Sequence, residues 1–467
     1  MTRYRATHFL VALAAVLSAT CNKEDLLENA DAGPDAGACT PGLAEGCAQG
    51  LVCEETSYGD PACFAPVVVR GRVFDLSTDA GIEGARVVAR DANGAALGPV
   101  AVSGADGSYA LTVPARRTDE QGTVEGAALT LRVDATSYQS YPGSFRPAMP
   151  IALSGAKGEN ELTIQNSSTD VGLIPLPGGA SGLGAISGNV PGGKGALVVA
   201  EGGAALTGVA DLEGGYTIFN VPAGAYGLRA YMGGAQYEPI QVDVPAGADV
   251  THADFTASSA APVTVSGSVN IVNAPGGSKT SVVLVVEATF NESFARGEVP
   301  PGLRAGDVTG AFEVSGVPDG KYVVLAAFEN DGLVRDPDTS IAGTQIVHIE
   351  VSGAGKNIGT SFKVTEALAV KGPGADAPEA VSGTPTFSWA DDSSEDAYRV
   401  VVYDSFGTLV WQDDSLGKVT GQQWVELAYG GPALEPGMIY QWRATSLKSG
   451  VPISMTEDLR GLFSLVP

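Results

Sequence analysis

Five cysteines, three histidines and four tryptophans are the residues of this chain best suited to covalent bonding, metal ligation or ring stacking. The cysteines all fall early: Cys21, Cys39, Cys47, Cys53 and Cys63. With Cys21 set aside, four remain, an even set that closes two disulfides in an oxidising compartment. Four cysteines allow three pairings, and their spacing does not choose among them. Zinc is the rival ligand, but these spacings contain no C-x2-C pair, and exported thiols oxidise. Of His8, His252 and His348, neither of the last two begins a His-x-x-Glu pair, so a hydrolytic zinc centre lacks its ligands. Both read as half-exposed residues at or near strands. No Gly-x-Ser-x-Gly elbow, dinucleotide fingerprint or catalytic-cysteine context is found, and Gly276-Gly277-Ser278-Lys279-Thr280 lacks the spacing of a phosphate loop and reads as a hairpin turn. Any two carboxylates can meet in a fold, so glycosidase chemistry is not settled by spacing, but no motif supports it. The expectation is a chain with no catalytic residue, no bound metal and no cofactor.

The acidic pairs Asp391-Asp392 and Asp413-Asp414 and the segment Asp336-Pro337-Asp338 offer oxygen ligands to Ca²⁺. None has the alternating ligand spacing of a dedicated calcium loop, so a solvated acidic surface is expected. The net charge of −26 repels phosphate backbones and argues against a nucleic-acid partner.

Arg3 and Arg5 precede the apolar run Phe9 to Leu17, then Ser18-Ala19-Thr20 and Cys21. Such a run is a signal peptide, too short to span a membrane. A Cys directly after small residues resembles a bacterial lipobox, which implies acylation of Cys21 and a membrane partner reached through that lipid. Leu17 stands one place further from the Cys than usual and Thr20 replaces a smaller residue, so cleavage after Ala19 is the alternative. The expected location is the outer membrane or cell surface, with the leaflet left open.

The elements around these residues read as strands. Short apolar runs such as Ala196 to Val199, Ser281 to Val286, Tyr322 to Ala326 and Tyr398 to Tyr403 lie between turn residues, with 62 Gly and 28 Pro among the 467 residues. That pattern predicts an all-β chain of alternating strands. One motif occurs three times: Val69-Arg70-Gly71-Arg72-Val73, Ile186-Ser187-Gly188-Asn189-Val190 and Val265-Ser266-Gly267-Ser268-Val269. Downstream of each come a Gly, an aromatic two places on and a Val-Pro turn, through Tyr109, Tyr216 and Phe312. The last two copies also share an ending, with Val244 and Phe255 spaced as are Val351 and Phe362. A repeat of this size means an array of like domains.

The organisation expected is a signal peptide over 1–20, a disordered acidic tether over 21–38 that reaches roughly 20–25 Å, and a Cys-rich mini-domain over 39–65. Three sandwiches follow over 66–177, 184–257 and 262–366, and a distinct last domain over 383–467. Residues 178–183 and 367–382 read as linkers. Residues 116–128 and the stretch from Asn291 to Arg304 read as insertions. Asp106-Gly107 reads as a tight turn between paired strands.

The first repeat, through Gly71-Arg72-Val73, Gly81 to Val87 and Asp106 to Leu111, resembles the carboxypeptidase regulatory-like family, a transthyretin-like β-sandwich. The second and third copies keep only the opening strand and the Gly-x-aromatic segment, and look equally like starch-binding-type sandwiches. The family's modules accompany a zinc-bearing catalytic domain and are not themselves the catalyst. The last domain resembles a fibronectin type III-like sandwich, through Phe387-Ser388-Trp389, Tyr398 to Tyr403 and Leu434 to Arg443. The resemblance implies a tyrosine corner at Tyr440. It also leaves two roles for its rings: Trp389, Tyr440 and Phe463 as core, and Trp411, Trp424 and Trp442 as core or as a face that stacks on pyranose rings.

A non-catalytic, lipid-anchored surface stalk or adhesion module is therefore expected, of sandwiches in line over on the order of 130 Å. A carbohydrate-binding protein is the alternative, and an accessory subunit of an envelope assembly a third. Polysaccharide or envelope proteins are the corresponding partners.

Overall fold

The computed structural model describes residues 39–42, 46–143, 146–202, 205–292, 296–326, 331–335 and 346–466. The expectations for the signal peptide, Cys21 and the tether, and for Asp336 and Asp338, lie outside them. The described chain is all-β, with two single-turn 3-10 helices.

The three-fold motif has a common cause in strand pairing. Val67–Asp75, Leu183–Asn189 and Val263–Val272 each pair antiparallel with the strand that carries the downstream aromatic. In each copy the motif glycine lies opposite that aromatic: Gly71 to Tyr109, Gly188 to Tyr216 and Gly267 to Phe312. A methyl group on these glycines would stand 2.0 Å from Thr169 O, 2.2 Å from Ala253 O and 2.7 Å from the Phe312 ring. Only Gly leaves room for the ring and the neighbouring backbone. The motif Val also has one fixed role. Val73, Val190 and Val269 each donate an N–H to the carbonyl of Gly107, Gly214 and Gly310, at 2.8, 2.9 and 2.7 Å. The phenols of Tyr109 and Tyr216 donate to Thr169 O and Ala253 O, each at 2.6 Å.

Each repeat is a two-sheet sandwich. In the first, Val67–Asp75 is flanked by Ser108–Val113 and, in parallel, by Val171–Leu173 and Leu162–Ile164. The facing sheet runs Ala96–Val102, Arg86–Arg90, Ala128–Asp134, Ile151–Ala152. The third repeat closes in the same manner, Lys356–Glu366 running parallel to its opening strand and Val269 lying opposite Phe362. Val244, Phe255, Val351 and Phe362, the shared ending, are all buried. The turn at Asp106-Gly107 does not join paired strands as expected. It carries the chain from Ala96–Val102 in one sheet to Ser108–Val113 in the other. The Gly276-Gly277 turn likewise crosses between sheets, from Val263–Val272 to Thr280–Val286.

The last sandwich packs Val370–Gly372, Thr386–Ala390 and Trp424–Ala428 against a larger sheet of Glu379–Ser382, Leu462–Val466, Ile439–Lys448, Ala397–Asp404 and Leu409–Asp413. Residues 367–382 are thus not a linker, since two of these strands lie there. Trp389, Tyr440 and Phe463 are core, as expected. The Tyr440 hydroxyl accepts the Glu435 N–H at 2.8 Å, which closes the tyrosine corner.

The sandwiches do not lie in line. Two apolar runs expected to alternate are buried on both faces. In Leu197–Glu201, Val198 and Ala200 face their own core, while Leu197 and Val199 pack into that of the third repeat. In Thr280–Val286, Val282, Leu284 and Val286 face inward, while Val283 and Val285 meet Ala95 of the first repeat. The first repeat also meets the last sandwich, where Phe74 and Phe406 pack edge to face at 5.5 Å and Met149 packs with Ile439 and Leu462. The in-line arrangement over 130 Å is therefore corrected, because the first repeat touches all three others.

Candidate functional site

Three places carry the side chains singled out above. At the N-terminal end, Val52–Glu54 and Ala62–Phe64 form a hairpin with Cys53 opposite Cys63. The pairing that spacing left open is Cys39–Cys53 and Cys47–Cys63. This hairpin docks on the insertion over residues 116–128. Arg117, 1% exposed, donates to Glu54 Oε2 at 2.8 Å, Ala65 O at 2.7 Å and Gly122 O at 2.8 Å. Its guanidinium lies 5.1 Å from the centre of the Phe64 ring. Backbone bonds join the two segments on either side, Ser57 N–H to Arg117 O and Arg117 N–H to Glu55 O. Burial outweighs the attraction of Arg117 and pushes the Glu54 carboxyl up to about 7. Nothing in the composition marked Arg117, and only its place in an interruption of the repeat pointed to it.

The second place is the junction of the three repeats. Glu298, in the insertion between Asn291 and Arg304, pairs with Arg90 and with Arg132, the latter at 3.1 Å. Arg132 also pairs with Asp134 at 2.6 Å and donates to Thr207 O of the second repeat at 2.9 Å. Burial disfavours the Glu298 charge, but Arg132 and Arg90 outweigh it and hold the carboxyl down to about 2. Next to this junction, a groove of about 730 Å³ opens between the second and third repeats. Glu201, Arg229, Gln236, Tyr237, Asp319 and Lys321 line it. Gln236 bridges the repeats, donating to Asp319 Oδ2 at 3.1 Å and accepting the Asp319 N–H at 3.1 Å.

The third place is the tryptophan set. Trp442 is fully buried, with Nε1–H donated to Pro373 O at 2.8 Å and its ring stacked on Phe387. It cannot meet a sugar, so of its two expected roles the core one holds and the stacking one is corrected. Trp411 and Trp424 are half-buried on different sheets. The Trp411 ring packs on Tyr429 at 5.1 Å, while Trp424 stands beside Lys371, whose Nζ is 5.5 Å from the ring centre. The three indoles form no common face. Neither remaining histidine lines these places: His252 is exposed, and His348 contacts Glu287, a residue of the groove wall, at 2.6 Å.

Residues 375–454 match the family described as Rha78A-like, N-terminal immunoglobulin domain. No curated protein matches the chain. Among solved structures, a DUF3823 family protein from Bacteroides ovatus is similar at 11% identity over 43% of this chain and 98% of that one, with a TM-score of 0.21. The Bacillus anthracis TIE protein is similar at 12% identity over 90% of this chain and 75% of that one, with a TM-score of 0.15. The minor pilin GBS52 of Streptococcus agalactiae is similar at 12% identity over 41% and 99%, with a TM-score of 0.17. Scores this low carry nothing about function.

Proposed function

We propose that this chain is an exported, non-catalytic surface module: a head of β-sandwiches held to a membrane by lipid on Cys21, acting in adhesion or as a structural part of the envelope. The observation that supports it most directly is the disulfide-closed hairpin, because two such bonds persist in an oxidising compartment. The hairpin also stands where the proposed tether enters the head, so a pull on the lipid reaches the first sandwich through covalent bonds and the buried Arg117–Glu54 pair. Metabolic labelling with an alkynyl fatty acid, on the wild type and Cys21→Ser, tests the reading. The expected result is label on the wild type alone, with the chain digestible by protease added to intact cells. An unlabelled chain retained in the cytosol would overturn it.

A second reading, carbohydrate binding, is favoured by the groove rather than by the indoles. Carboxylates, an amide and a guanidinium around an open cleft are the groups that recognise sugar hydroxyls. A glycan array probed with the full chain and with Arg229→Ala and Trp424→Ala separates the sites. Loss of binding in Arg229→Ala alone places the ligand in the groove, and no binding by the wild type removes this reading.

A further inference from the structure

We propose that the loop joining Thr386–Ala390 to Ala397–Asp404 in the last sandwich is a calcium site, anchored by Glu395. The aspartates of this loop stand out in the sequence as an acidic pair, whereas Glu395 does not. Its side chain is fully buried. Oε1 accepts the Val419 N–H at 3.0 Å, whereas Oε2 is buried without a hydrogen-bond partner. Lys418 does not neutralise it, since its Nζ donates instead to the Glu395 backbone carbonyl at 3.1 Å. A buried carboxylate oxygen left unpaired is costly, and such groups are paired or bound to a metal.

The surroundings supply a second charged ligand. Asp391 accepts the Tyr398 hydroxyl on Oδ1 at 2.9 Å, which leaves Oδ2 open. Tyr398 in turn accepts the Asp392 N–H at 2.7 Å, so the phenol ties the Asp391 carboxylate to the backbone of the loop that carries Glu395. Asp392 is committed elsewhere, to Ser394 and Ser446.

Among the described residues only Cys39, Cys47 and Cys63 bring three ligand atoms within 4.8 Å of one another, and those thiols are in disulfides. Ligation at the loop therefore requires it to close on the ion, with backbone carbonyls and water completing the shell. Ca²⁺ tolerates such irregular oxygen shells, whereas Mg²⁺ demands near-ideal octahedra. With two carboxylates the affinity expected is in the weak range of extracellular modules, about 10⁻⁴ to 10⁻³ M.

Terbium is the probe, because Trp389 and Tyr398, whose ring centres are 5.4 Å apart, are placed to sensitise its emission. With the full chain, sensitised emission is expected, displaced by CaCl₂ and not by the same concentration of MgCl₂. Glu395→Gln and the more exposed Asp391→Asn should each weaken binding about tenfold or more. Asp391→Asn keeps the test valid if the buried change disturbs the fold. Asp414→Asn, on another acidic pair, should leave emission unchanged. No sensitised emission, emission in the two loop variants equal to that of the wild type, or a loss in Asp414→Asn as large as theirs would each overturn the proposal.

Discussion

Gly188 shows how much one hydrogen atom in place of a methyl decides. Its α-carbon lies across from Tyr216, and a Cβ would press on the Ala253 carbonyl, which is backbone and cannot rotate away. Gly188→Ala should cost about 1–3 kcal/mol, the usual range for overpacking, read as a lower urea midpoint. Gly310, the glycine that accepts the Val269 N–H in the third repeat, is a contrast, because nothing lies within 4 Å of the Cβ it would carry. Gly310→Ala should change stability by less than about 0.5 kcal/mol. Equal effects at the two positions would remove this explanation of the repeat. Glu54 carries a second prediction at this scale. Its carboxyl titrates at about 7 in the folded chain against an ordinary value of 4.5, so the folded state holds the extra proton between those values. Stability from this group is then full below pH 4.5 and is lost as pH rises through 7, by up to about 1.4 kcal/mol per unit. Protection of the Val52–Glu54 amides, taken relative to the intrinsic exchange rate at each pH, should be greater at a pH of about 5.5 than at about 8, and Glu54→Gln should flatten the difference.

At the scale of elements, the informative feature is what interrupts the repeat. Both interruptions visible in the sequence are contacts in the fold: residues 116–128 seat the Cys-rich hairpin, and the stretch from Asn291 to Arg304 reaches the first repeat through Glu298. Removing Arg117 leaves Glu54 buried without its cation, and Arg117→Ala should cost about 3–5 kcal/mol. That loss should show as protease cleavage between the hairpin and Val67 at concentrations the wild type withstands, and resistance equal to the wild type would contradict it. The strands, their repeat register and the tyrosine corner were legible because Gly, aromatic and turn residues constrain backbone locally. The disulfide pairing was not, since it depends on how the hairpin folds. The two-sided burial of Leu197–Glu201 and Thr280–Val286 did leave a trace. Each is a continuous apolar run, the pattern of a strand covered on both faces rather than of an alternating one. For Trp442 the choice between the two roles left open was not legible either. Ring type alone does not tell which face of a strand it occupies, and in Ile439–Lys448 the Trp442 ring falls on the core side.

For the molecule as a whole, the charges at the three-way junction act as a pH-dependent fastening. Glu298 is held at about 2, below its ordinary value, so its contribution is full above pH 4.5 and is lost as pH falls towards 2. Glu298→Gln leaves Arg90 and Arg132 facing a neutral amide, and should cost about 3–5 kcal/mol at neutral pH. Its unfolding should also split, the first repeat parting from the third before either melts. Acid thus tightens the hairpin at Glu54 while it loosens the junction at Glu298, and the two variants separate these effects.

The central claim is that the sandwiches form one packed head rather than a file. Small-angle scattering on the chain from Cys39 onward tests it most directly. A packed head of this length should give a radius of gyration below about 30 Å, towards the roughly 22 Å of a compact domain. A value near 38 Å, about that of a rod 130 Å long, would contradict the account and restore the in-line stalk.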